Sequence, residues 1–91
     1  MQNPSLIAFV LRAKNRIKIM QILKDNPKIS SDIERETKMY KSHVSRALKE
    51  LQKKRFIKCV NPNDRNFRFY KLTNTSKKVL LEVERILKHT K

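Results

Sequence analysis

The 91-residue sequence contains no glycine, a single cysteine and few acids, 8 against 23 lysines and arginines. Each scarcity removes possibilities. Without glycine there is no Walker-type phosphate loop, no Rossmann dinucleotide loop and no glycine-flanked serine elbow. All of these need positive φ or close backbone approach. Turns must instead close on Asn, Asp, Pro or an exposed polar residue. One cysteine, Cys59, permits no internal disulfide and fits a reducing compartment. The longest apolar run is Leu6–Leu11, far short of the roughly 18 residues of a membrane span. The Met1-Gln2-Asn3-Pro4 flank before it lacks the basic character of a signal peptide. No carboxylate pair or nucleophile–base set is in view, so no enzyme is expected.

The surplus is positive charge: +15 formally, with a pI near 10.5. Such a field concentrates polyanions, nucleic acid first and an anionic membrane surface second. The 38% of hydrophobic residues is patterned, so the chain orders, and at this length one domain over 1–91 is expected, with no separate effector domain.

The periodicity predicts a long first helix from Leu6, capped by Ser5. Its stripe is Leu6, Phe9, Val10, Ala13, Ile17, Met20 and Leu23. Ile7, Leu11, Ile19 and Ile22 fall outside the stripe, so this helix needs cover on two sides. Asp25-Asn26-Pro27 is read as its stop, with Asn tolerating the left-handed conformation. Lys28-Ile29-Ser30 reads as a strand stub. A brief helix capped by Ser30 or Ser31 follows to about Thr37, with acids favouring its dipole near the start. After a tight turn at Lys38-Met39-Tyr40, a helix over about 41–54 buries Val44, Ala47, Leu48 and Leu51. Phe56–Val60 and Phe67–Thr73 form a hairpin around the turn cluster 61–66. A last helix capped by Thr73 or Thr75 carries Val79, Leu80, Val83, Ile86 and Leu87.

The charge is uneven. Residues 38–60 hold a net +7 and residues 61–71 a net +2, whereas 28–37 is net −1. At 100° per residue, the face of the third helix opposite its apolar stripe carries Ser42, Ser45, Arg46, Lys49 and Lys53, with Glu50 to the side. Arg and Lys suit guanine O6 and N7, Ser suits bases or phosphate, and the major groove admits one helix. A merely solvated face would mix both signs, as Glu82, Glu84, Arg85 and Lys88 do in the last helix.

SSDIERETKMYKSHVSRALKELQKKRFIKCV resembles a helix-turn-helix with its recognition helix and following strand. SHVSRALKEL is similar to recognition helices of winged helix-turn-helix regulators of the ArsR and MarR type. NPNDRNFRFYKLTNTSKKVL resembles the wing and start of the last helix of archaeal members, and FVLRAKNRIKIMQIL their first helix. The resemblance covers about residues 5–90. It implies a mainly α fold with a small hairpin, DNA as partner, a homodimer and a role in transcription. By that pattern Lys41, Ser42, His43, Ser45, Arg46, Lys49 and Lys53 belong to the recognition helix. Lys54 and Arg55 form its exit, and Arg65 and Arg68 lie in the wing. Lys38 and Arg55 stand where the family often has glycine. Either Arg55 holds a positive φ at about 1 kcal/mol of strain or the turn there differs, and in both cases the two replacements add charge near the presumed DNA face.

His43 is read as a base or phosphate contact, or as a simple exposed histidine. His89, His43 and Cys59 lack ligand spacing, so no metal, cofactor or small-molecule ligand is expected. Cys59 is read as a small strand hydrophobe. Tyr70 and Leu72 share the core face of their strand. Phe67 and Phe69 lie on the other face, read first as packing against the first strand or a partner, with base stacking as in single-strand binders the alternative. Leu6, Ile7, Val10, Leu11, Leu80, Leu81 and Leu87 are the expected dimer contacts, because unpaired apolar surface on the first and last helices needs cover. Location in the cytoplasm, on the nucleoid, follows from these expectations. Rival readings are an architectural, non-specific DNA-coating protein and an RNA-binding winged helix.

Overall fold

The computed structural model describes residues 4–89. The elements in order are α1 (Pro4–Leu11), α2 (Lys14–Leu23), β1 (Lys28–Ile29), α3 (Ser30–Thr37), α4 (Lys41–Lys53), β2 (Ile57–Cys59), β3 (Phe69–Leu72) and α5 (Asn74–His89). The strands form one antiparallel sheet in the order β1-β3-β2. Lys28 pairs with Tyr70 and Ile29 with Phe69, while Ile57, Lys58 and Cys59 face Leu72, Lys71 and Tyr70. The strand stub read from Lys28-Ile29-Ser30 is thus the third strand of the wing sheet.

The expected single first helix is two. Ala13 is extended (φ −138°, ψ 113°), and the axis changes there without a glycine or proline. Arg16 is the local cause. Its Nη1 donates to the Phe9 carbonyl, which in an unbroken helix would accept from the amide of Ala13. Ala13 N–H closes instead on the Val10 carbonyl. The break disposes of much of the apolar surplus: Ile19, outside the sequence stripe, is fully buried, as are Val10 and Met20. α1 already runs from Pro4, so Ser5 lies within it rather than capping it. Among the described residues only Lys38 and Arg55 have positive φ, so Asn26 does not supply the left-handed stop expected after α2. α3 starts at Ser30 with Ile29 at the N-cap and no side-chain cap, in place of the expected serine cap.

The core gathers Ile17, Leu23, Ile33, Val44, Leu48, Leu51, Phe56, Ile57, Leu72, Val79 and Val83 from every helix but α1, which adds Val10. Phe56, fully buried, is read from sequence as the first residue of a strand but ends the α4 exit turn instead. Its burial contributes roughly 1.5–3 kcal/mol. Thr73 caps α5: its Oγ1 accepts from the Ser76 amide at 3.3 Å, and the buried Ser76 hydroxyl donates to the Thr73 carbonyl at 2.8 Å.

Val10 and Leu80, read from sequence as dimer contacts, are consumed by this core and are closed to a partner. Leu6, Ile7 and Leu11 are half-buried against it, and Leu87 is exposed. Leu81 is exposed too, but at 100° per residue it projects away from Val79, Leu80 and Val83 among charged neighbours.

Candidate nucleic-acid interface

The interface is built on two left-handed turns. α3 ends with Lys38 at φ 59°, its amide donating to the Glu34 carbonyl at 2.8 Å. This single bond is the αL helix stop. Thr37 Oγ1 steadies it by donating to the Ile33 carbonyl and accepting from the Met39 amide. α4 ends in a Schellman motif. Arg55 N–H reaches the Gln52 carbonyl at 2.9 Å, Phe56 N–H reaches the Leu51 carbonyl at 2.8 Å, and Arg55 sits between them at φ 61°. The buried pair Leu51 and Phe56 supplies the hydrophobic contact of that motif. Thr73 Oγ1 then donates to the Arg55 carbonyl at 2.8 Å, tying the turn to α5. Of the two readings of the Arg55 turn, the positive φ is therefore the one present, and Lys38 shares it.

These turns hold α4 with Val44, Ala47, Leu48 and Leu51 inward. Lys41, Ser42, His43, Ser45, Arg46, Lys49 and Lys53 are all exposed, as are Lys54 and Arg55 beyond the helix. One flank faces the wing: Lys41, Ser45, Lys49 and Gln52 line a cleft with Arg68 and Tyr70. The other flank faces the start of α2, where His43, Arg46 and Glu50 border Ala13, Asn15 and Arg16.

Glu50 is the one acid of α4; its side chain is 40% exposed on the flank it shares with His43 and Arg46, and its charge is paired. Arg16 Nε and Nη2 donate to its Oε1 at 3.2 and 3.1 Å. The Arg16 side chain is only 15% exposed, and its guanidinium lies 3.8 Å over the Phe9 ring, which packs edge-on to Phe56. One arginine thus breaks the first helix, neutralises Glu50 and fixes α4 against α1. The sequence carries no periodic signal for this tie.

The wing, residues 60–68, is ordered by two side chains. Asn61 brackets its base, accepting from the Phe69 amide at 2.8 Å and donating to the Phe67 carbonyl at 2.7 Å. Asp64 Oδ1 accepts from the amides of Asn66 and Phe67, each at 2.8 Å. These backbone hydrogen bonds, Phe67 first, hold the Asp64 carboxyl below its ordinary value of 3.8, with help from the Arg68 charge. Arg68 Nε donates to the Asp64 carbonyl, which turns that arginine toward α4, while Arg65 is exposed at the tip.

Sequence reasoning missed Tyr40. It stands at the N-cap of α4, 77% exposed, with its ring edge-on to His43 at 5.7 Å. An aromatic in a polar turn directly before the basic helix is the signal that could have found it. Cys59 is partly buried, its thiol 3.7 Å from Asn61 Oδ1. Among the described residues no three His, Cys, Asp or Glu side chains are grouped to hold a metal, and no helix is long and apolar enough to cross a membrane.

A helix-turn-helix followed by a strand-paired wing and a closing helix defines the winged helix-turn-helix fold, here in the archaeal transcriptional-regulator form that the sequence resembles. Residues 5–91 match the N-terminal domain of the methanogenesis regulatory protein FilR1, and the chain belongs to that family. No curated protein matches the sequence. Among solved structures, a C30AH42A mutant of ZitR from Lactococcus lactis is similar at a TM-score of 0.75 and 24% identity, covering 86% of this chain and 54% of that one. The transcriptional regulator BldR from Sulfolobus solfataricus gives 0.76 and 18%, covering 84% and 55%. The MarR family transcription regulator SP03579 gives 0.76 and 19%, covering 93% and 62%. The chain therefore spans somewhat more than half the length of these structures.

Proposed function

We propose that this single domain is a sequence-specific regulator that binds double-stranded DNA as a homodimer. The observation that carries the reading is the α4 face: lysine, arginine and serine exposed together, with the Glu50 charge paired to Arg16. α4 enters the major groove. Ser42, His43, Ser45, Arg46 and Lys49 reach base edges, and Lys41, Lys53, Lys54 and Arg55 meet phosphates. Arg65 and Arg68 follow the flanking backbone or minor groove. Tyr40 joins this set through its contact with His43.

α1 and α5 pack together, and the proposed dimer face joins the half-buried Leu6, Ile7 and Leu11 to the exposed Leu87. A second copy covering that face would set two α4 helices about one DNA turn apart, roughly 34 Å. Leu81, on the opposite side of α5, is not part of it. Action at the nucleoid in the cytoplasm, without cofactor or small-molecule ligand, follows from this reading. The net charge of +15 favours a second reading, architectural coating of DNA without sequence preference.

The test is affinity against salt with a selected site and with random DNA. A dimer making six or more phosphate contacts gives a slope of log K on log salt of about −5 or steeper. A nearly flat slope refutes DNA binding by this face. Loss of binding to excess random competitor selects the architectural reading.

A further inference from the structure

The wing sheet has two faces, and α4 and the core use only one. Ile57, Tyr70 and Leu72 turn inward. The alternate positions form two rows on the outer face. Ile29 pairs with Phe69 across β1–β3, and Val60 N–H bonds to the Phe69 carbonyl at 2.9 Å, which makes a row Ile29–Phe69–Val60. Two residues along, Lys58 lies directly opposite Lys71. The apolar row is open: Phe69 is 38% exposed, Val60 45%, and Phe67, just outside the strand, 59%.

The lysine row is equally unusual. Like charges directly opposed on an antiparallel pair destabilise it, yet neither lysine has an ion-pair partner among the described residues. Lys77 of α5 lines the same cleft as Lys58 and Lys71. Between Leu51 and Leu81 the only acid is Asp64, and its Oδ1 is committed to backbone amides.

Exposed phenyl rings beside unneutralised lysines are complementary to a strand whose bases are unstacked and whose phosphates are free. Aromatic platforms flanked by a cationic track bind such strands without sequence preference. A duplex offers the lysines its phosphates but has no open base for Phe67 or Phe69. We infer that the outer face of the wing sheet binds single-stranded DNA. Bases stack on Phe67 and Phe69, and Lys58, Lys71 and Lys77 hold the phosphates. Arg65 and Arg68 border Phe67 in the wing, so an unpaired strand leaving a duplex held by α4 passes directly onto this face.

Fluorescence anisotropy of the full chain decides it, using labelled oligo(dT) and oligo(rU) of about ten nucleotides, with and without saturating duplex. Oligo(dT) is expected to bind with duplex present. Phe67→Ala and Phe69→Ala should each weaken it about fivefold or more while leaving duplex affinity unchanged, and Arg46→Ala should do the reverse. Phe67 lies outside the strands, so its variant carries the test even where Phe69→Ala loosens the sheet. Four results overturn the inference: oligo(dT) displaced by duplex, phenylalanine variants that bind it as the parent does, tighter binding of oligo(rU), or phenylalanine variants that change only the oligomeric state in light scattering.

Discussion

Replacing Arg55 by glycine should stabilise the fold and weaken DNA binding in the same molecule. Arg55 holds φ 61° at the left-handed position of the Schellman motif. A residue with a Cβ pays about 1–2 kcal/mol there, and glycine does not. Glycine returns about 0.5–1 kcal/mol through the greater freedom of its unfolded chain. The net gain is about 0.5–1 kcal/mol, or about 2–8 °C in Tm for a domain of this size. No side-chain interaction is sacrificed, because the hydrogen bonds at Arg55 involve its backbone N–H and carbonyl. The guanidinium is exposed beside Lys54 at the helix exit. Its loss should reduce the salt slope by about 0.9 per phosphate contact removed and lower affinity for all sequences alike. Arg55→Ala is the control: it loses the same charge and keeps the strain, so affinity falls without a gain in Tm. Calorimetric melting and salt titration of both variants measure this. A Tm for Arg55→Gly at or below that of Arg55→Ala would refute the strain argument, and an unchanged salt slope would refute the placement of Arg55 on DNA.

Arg46→Ala should cost about 1–3 kcal/mol at a selected site and relax base preference there, read by binding to single-substitution operators. Glu50→Gln removes the charge that holds Arg16 beside Phe9 and should lower stability by about 1–2 kcal/mol in urea unfolding; an unchanged midpoint would mean the ion pair is idle. Asp64 has a folded pKa below its unfolded value, so its contribution to wing order is complete above about pH 4 and is lost as pH falls through the lowered folded value. Protection of the Asn66 and Phe67 amides from hydrogen exchange, taken relative to the intrinsic rate at each pH, should fall at acid pH in the parent and lose that dependence in Asp64→Asn. Leu87→Glu should dissociate the proposed dimer in light scattering, whereas Leu81→Glu should leave it intact; the opposite pattern would move the proposed interface to the other side of α5.

The elements that could be read in advance are those whose signal is local. α4 has an i, i+3, i+4, i+7 stripe and a one-signed opposite face, so its limits and its buried and exposed sides are legible in thirteen residues. The positive φ at Arg55 follows from a recognisable exit turn lacking its usual glycine. The first helix misled for a physical reason. Its apolar stripe is continuous through Ala13, and the break depends on Arg16 reaching the Phe9 carbonyl and Glu50, a contact spanning 34 positions. The dimer list erred at Val10 and Leu80 for the same reason. Periodicity tells which residues need burial, but not whether their own chain or a second copy provides it.

The sequence alone therefore determined the absence of glycine-loop chemistry, the concentration of charge on α4 and its exit, and the order of elements from the strand stub onward. Each rests on composition or on neighbours within a few residues. Tertiary structure alone decided that Glu50 pairs with Arg16, that Arg68 lines a cleft with α4, and that Lys58 stands opposite Lys71 beside Phe69 on the outer side of the sheet. Those outcomes depend on hydrogen bonds and strand register between distant segments. Such pairings are fixed only when the chain closes on itself.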